Sequence, residues 1–269
     1  MAFGRGRRGA VFGAGGIGTY PGAVPEPDPT MTAPVDQAPV RWGLGDAAVG
    51  WVVGLICGLF TQLLAYELSG TPVDQPDRLP LGWFAVGQIG LWAGMLGVPW
   101  VAARFKGNGL RRDFGLTAKW SDIPIGALAG IAGQTLIVWI VYLPLQWVTD
   151  VSAEDISEPA RELTDRADGG FGIALLVLIV GLGAPVVEEI FYRGLLQRSL
   201  IRRFGPGWGI AGASVLFGFA HMQPLQFPAL ALAGVLFGVL AYRFDRLGPA
   251  IVAHVVFNMT AVIALVAGS

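Results

Sequence analysis

The chain has 269 residues, of which 54% are hydrophobic and only 14% charged, with a net charge of −1 and a mean hydropathy of +0.59. An ordinary soluble domain carries roughly 25% charged residues, so this composition excludes one, and the balanced charge offers nothing to nucleic acid. The expected fold is all-α, a polytopic transmembrane helical bundle whose first partner is the lipid bilayer.

Residues 1–43 cluster Gly and Pro (GRGRRGAVFGAGGIGTYPGAVPEPDPT) without an apolar period and are expected to be a disordered cytoplasmic tail. Arg7-Arg8 resembles the start of a twin-arginine export signal, but no adequate apolar segment follows it. A membrane-spanning helix needs about 20 mostly apolar residues. The uncharged runs are 47–66, 82–103, 123–148, 171–187, 204–242 and 247–269. The fifth is too long for one helix and breaks at Gln223-Pro224-Leu225-Gln226-Phe227-Pro228, where two prolines cannot continue an apolar helix. About seven spans result, three in 44–169 and four in 170–269. Gly90xxxGly94, Gly126xxxGly130 and Gly234xxxGly238 have the spacing that lets membrane helices approach closely.

With the N-terminus inside, 15 of the 18 Lys and Arg fall in inside segments, while the outside loops 67–81 and 149–170 hold three Lys/Arg and ten acids. The positive-inside rule therefore gives a cytoplasmic N-terminus and an outer C-terminus. Cys57 is alone, forms no intrachain disulfide and reads as a small hydrophobe in the first span. Gln62, Gln88 and Gln134 read as hydrogen bonds between helices. The acidic loop 150–168 is expected to form a short surface helix with a solvated charged face.

Residues with reactive chemistry are concentrated after position 185. The adjacent acids Glu188 and Glu189 end an uncharged run, and the only two histidines, His221 and His254, both sit inside such runs. Ionisable groups at membrane depth are expensive and point to function. On an α-helix Glu189 and Arg193 are i,i+4 neighbours able to pair, while Glu188 points about 100° away. His254 and Asn258 are likewise i,i+4 and share a face. At about 1.5 Å per residue, Glu188 and His254 lie at similar depth. His221 joins them only if the helices on either side of residues 204–207 project beyond the membrane, so the fifth span is expected to be short or irregular.

A carboxylate and two imidazoles in a partly dry pocket are the parts of a water-activating hydrolase. The imidazoles can position water, hold Zn²⁺ or another divalent metal, or stabilise an oxyanion. The same groups would serve a proton-coupled transporter as a relay, or merely bond helices together in a non-catalytic scaffold or immunity protein.

The three motifs, EExxxR at 188–193, FxxxH at 217–221 and HxxxN at 254–258, together with Ala184-Pro185 ahead of the acids, resemble those of the CPBP intramembrane proteases. This family takes in the type II CAAX prenyl endopeptidases and the bacteriocin-processing Abi relatives. The resemblance covers about 170–269. It implies an integral protein of the bacterial plasma membrane that cleaves membrane-associated peptides or proteins. Glu188 would be the general base activating water with His221; His254 and Asn258 would bind metal or stabilise the oxyanion; Glu189 and Arg193 would orient the site. A His₂Glu zinc site built from His221, His254 and Glu188 competes with a metal-free scheme, because a ligating Glu188 is no longer a free base. Other intramembrane protease signatures are missing from the sequence: HExxH, GxSG around Ser214, and GxGD. The site is expected to open towards the cytoplasm.

Overall fold

A computed structural model describes residue 1 and residues 39–268. The tail expected over 1–43 lies, as far as position 38, outside the described residues. Its last residues are held against the body: the Arg41 amide donates to the Lys106 carbonyl at 2.7 Å, and buried Trp42 packs edge-on against Phe114.

The described residues form α1 (Leu44–Ser69), α2 (Leu81–Lys106), the single turn α3 (Leu110–Asp113), α4 (Asp122–Val148), α5 (Ala153–Asp165), α6 (Gly169–Phe204), α7 (Pro206–Ala220), α8 (Phe227–Phe244) and α9 (Gly248–Gly268), and no strand. Six of these helices, α1, α2, α4, α6, α8 and α9, are long and apolar enough to cross a bilayer, and α7 is a shorter apolar helix of 15 residues. The chain is thus an integral multi-pass membrane protein, with the seven expected membrane helices and a short fifth one. Val52, Ile56, Leu59, Phe60 and Leu63 of α1 are exposed; in lipid, which is as apolar as they are, that exposure carries no hydration cost.

All three glycine spacings become helix crossings. A Cβ on Gly94 would enter the backbone of Gly54, and the Thr61 hydroxyl donates to the Gly87 carbonyl at 3.0 Å, tying α1 to α2. Gly126 and Gly130 let α4 lie against Val252, Ala253 and Val256 of α9. Gly234 sits against Ser214, bringing α8 onto α7.

Charge closes one end of the bundle. Arg246, between α8 and α9, grips Asp122 at the start of α4 through Nε at 3.1 Å and Nη2 at 2.6 Å. Beside it the Leu247 and Gly248 amides donate to the Gly115 and Thr117 carbonyls. Arg202 near the end of α6 stacks on Trp42 at 3.6 Å and donates to its carbonyl.

α6 is 36 residues long, about 54 Å at 1.5 Å per residue, well beyond the roughly 30 Å hydrocarbon core. It therefore projects from the membrane, as the depth argument for His221 requires. A left-handed Gly205 (φ 82°) turns the chain directly into α7. Glu188 lies sixteen residues before Phe204 and His221 fifteen after Pro206, so the hairpin brings them to one level. Within α6, Val177–Gly183 and Glu189–Gln197 are wound as π-helix, whose i→i+5 bonding widens the turn and recurs at functional sites.

Candidate active site

The second π-helical stretch begins at Glu189, and all nine of its residues are buried. Glu189 and Arg193 are 0% and 1% exposed and pair at 3.0 Å from Oε1 to Nη1. Charges this deep need partners, and this pair has them in part: Glu189 Oε2 and Arg193 Nη1 make no hydrogen bond. Arg193 also donates through Nη2 to the Gly234 carbonyl at 3.1 Å, and its guanidinium lies 4.3 Å from the Phe217 ring centre and 5.4 Å from that of Phe237. Planar, weakly hydrated guanidinium suits such aromatic walls. One turn on, Gln197 donates to the Gly238 carbonyl at 3.0 Å. The Gly234xxxGly238 pair thus admits two polar side chains of α6 to the α8 backbone as well as allowing close packing.

His254 reaches this cluster from α9. Its Nδ1 lies 2.9 Å from Glu189 Oε1, so Glu189 is shared between an arginine and a histidine. The ring stacks on Phe237 at 4.5 Å and meets Phe217 edge-on. Because a carboxylate paired with Arg193 accepts, Nδ1 carries the proton and Nε2 is left facing Glu188 Oε2 at 3.8 Å. That separation exceeds a direct hydrogen bond. Glu188 itself is less enclosed, with 19% of its side chain exposed.

His221 ends α7. Its Nδ1 lies 2.8 Å from the Phe217 carbonyl; a carbonyl only accepts, so Nδ1 donates and Nε2 of the neutral ring is an acceptor. No hydrogen bond or ion pair joins His221 to either acid among the described residues. Asn258 donates through Nδ2 to the Val180 carbonyl at 2.9 Å, inside the first π-helical stretch.

Glu188, His221, His254 and Asn258 line one cavity of about 360 Å³. Glu189 and Arg193 stand behind its wall as support. All six sequence-derived site residues therefore gather in one region, although Glu189, expected to be held by Arg193 alone, bonds His254 more closely than Glu188 does. Sequence reasoning missed Phe237 and Gln197, ordinary residues of apolar or polar helix faces, and gave Phe217 no role beyond its place in the motif. Gln88, read only as an interhelical polar group, is a cavity-wall residue.

The cavity sets two expectations against each other. It extends from Glu188 and His254 towards Leu176, Leu265 and the α5 residues Leu163 and Thr164. That is the end of the bundle bearing loop 149–168, which the charge distribution assigned to the outside. A cytoplasmic N-terminus and a cytoplasmic opening do not hold together.

The donor set also bears on a metal. No group of three His, Cys, Asp or Glu side chains is arranged to hold one among the described residues. Nδ1 of each imidazole is engaged, by Phe217 and by Glu189, which is how a ligating histidine is ordinarily held and leaves Nε2 open, so the obstacle is the arrangement of the three side chains. As placed, these residues do not fit the His₂Glu centre.

Residues 170–260 match the family model described as Type II CAAX prenyl endopeptidase Rce1-like. No curated protein and no solved structure matches the chain. The family match spans all three motifs, bears out the resemblance read from them and, on this multi-span helical fold, supports a CAAX-type intramembrane protease.

Proposed function

We propose that the chain hydrolyses peptide bonds of membrane-associated substrates with Glu188 as general base and His254 as its oriented partner. The observation that carries this reading is the relay Arg193–Glu189–His254, which ends with Nε2 aimed at Glu188 in an accessible cavity. A buried carboxylate fixing the tautomer and direction of an imidazole is a recurrent catalytic device.

In this reading a water lies between Glu188 and His221. His221 Nε2 accepts one of its hydrogens, and Glu188 takes the other as the oxygen attacks the scissile carbonyl carbon. The carbonyl π electrons pass to oxygen, where the second Nδ2–H of Asn258, not used by Val180, is the available donor. When the C–N bond breaks, its electron pair stays on nitrogen, which recovers the proton from Glu188. Arg193 and Glu189 touch no reacting atom; they position His254.

Cleavage of a membrane peptide by purified protein tests this. Glu188→Gln preserves shape and removes the base, and the expected loss is about 10²- to 10⁴-fold with an unchanged melting profile in detergent. Unaltered cleavage in that variant would overturn the assignment. Activity is expected to survive chelation; loss to chelator with rescue by Zn²⁺ would return the metal scheme.

A further inference from the structure

We infer that the catalytic cavity is entered from the extracytoplasmic face, between α5 and the outer halves of α6 and α9, so that the substrates are peptide segments presented on that face. The inference rests on the proteolytic reading of the site and names the side from which its substrate arrives.

Three observations carry it. On α6 and α9 the cavity extends to one side of Glu188 and His254: α6 contributes Leu176 to Glu188 and α9 contributes His254 to Leu265, stretches of about 18 and 16 Å, while on α7 it is floored by Phe217. In the other direction the passage is blocked, because Glu189–Gln197 are all buried and Phe191 and Leu195 are wholly inaccessible within a packed core. The two ends differ in charge. Arg104, Lys106, Arg111, Arg112, Arg202 and Arg203 cluster at the blocked end, and Asp74, Asp77, Glu154, Glu158, Glu162 and Asp168 at the open one. The positive-inside rule places the blocked end in the cytoplasm.

The route to Glu188 therefore begins at α5. This short amphipathic helix is fixed by a Ser152–Asp155 capping box and by Gln226, whose Nε2 donates to the Ile156 carbonyl at 2.9 Å. The substrate class is an exported or membrane-anchored peptide whose scissile bond lies near the outer surface.

Single-cysteine labelling of the full chain in intact cells tests the entry face. On a Cys57→Ala background, cysteines replace Glu158 on exposed α5, Ala261 in the cavity wall, and exposed Gly207 at the blocked end. A membrane-impermeant maleimide is expected to modify Glu158→Cys and Ala261→Cys in intact cells, and Gly207→Cys only after permeabilisation. Labelling of Gly207→Cys in intact cells overturns the orientation. An Ala261→Cys that reacts only after permeabilisation, or never while Glu158→Cys reacts, overturns the entry route. Leu265→Cys provides a second wall position if Ala261→Cys fails to accumulate. Labelling needs no turnover, so the expected pattern in a protein without peptidase activity would count against proteolysis and leave the entry face standing.

Discussion

Glu189 serves two cations where helical phase gave it one. The i,i+4 argument found Arg193 correctly, but the 100° per residue on which Glu188 and Glu189 were separated is α-helical, and Glu189–Gln197 turns more widely. Both acids lie within reach of α9, and His254 falls between them at 2.9 and 3.8 Å. This makes Glu189 a positioning residue with a separable signature. Glu189→Gln keeps the shape, leaves Arg193 buried without its counter-charge at a cost of about 3–5 kcal/mol, and frees the His254 tautomer. A lower melting temperature is expected together with a fall in kcat larger than any change in KM. Arg193→Lys is expected to keep the ion pair but lose the hydrogen bond to the Gly234 carbonyl and the aromatic stacking, since an ammonium is a point charge without a planar fork. Its melting temperature should lie between those of Glu189→Gln and the parent, as thermal unfolding in detergent would read.

Among elements, the hairpin of α6 and α7 sets His221 at the level of Glu188, and α8 locks that hairpin by close approach. The lock depends on position as well as on glycine content. A Cβ at Gly234 would stand 3.0 Å from Cα and Cβ of Ser214, whereas one at Gly212 meets only the flexible tip of Leu200 at 3.5 Å. Gly212→Ala should therefore stabilise by about 0.5–1 kcal/mol through the lost freedom of the unfolded chain. Gly234→Ala should lower the melting temperature and cleavage together, because pushing α8 outward moves the carbonyl that Arg193 grips. Equal melting shifts in the two variants would show that the α7–α8 crossing is not tight. The sequence marked the interval 234–238 as a packing motif; its use by Arg193 and Gln197 required the register of α6 against α8.

Across the whole molecule, one end is tied by charge and the other is left open around the cavity. Asp122 is the clearest instance, 1% exposed and gripped by Arg246 across the junction of α4, α8 and α9. Neither residue stands out in the sequence, since each looks like an ordinary charge at the end of a span. Asp122→Asn should lower the melting temperature while leaving kcat per folded molecule near that of the parent, because the corner lies at the opposite end from the cavity. A proportionate loss of kcat would show that the corner and the site are mechanically coupled.

Composition and apolar run length by themselves determined the class, the number of membrane helices and the place of the reactive residues, because a bilayer demands about 20 apolar residues per crossing and penalises each ionisable group left inside. The motifs at 188–193, 217–221 and 254–258 likewise marked the ionisable side chains that gather around the cavity, but not its wall residue Gln88 or the supporting Phe237 and Gln197. Which of those residues touch was decided only by tertiary structure. The widened π-helical turn, the projecting α6–α7 hairpin and the packing of α8 and α9 are cooperative outcomes of several helices, and no single segment encodes them. The direction in which the cavity opens has the same origin: charge along the chain orients the bundle in the membrane, but the core that blocks one side of Glu188 is assembled from α1, α2, α6 and α7 together.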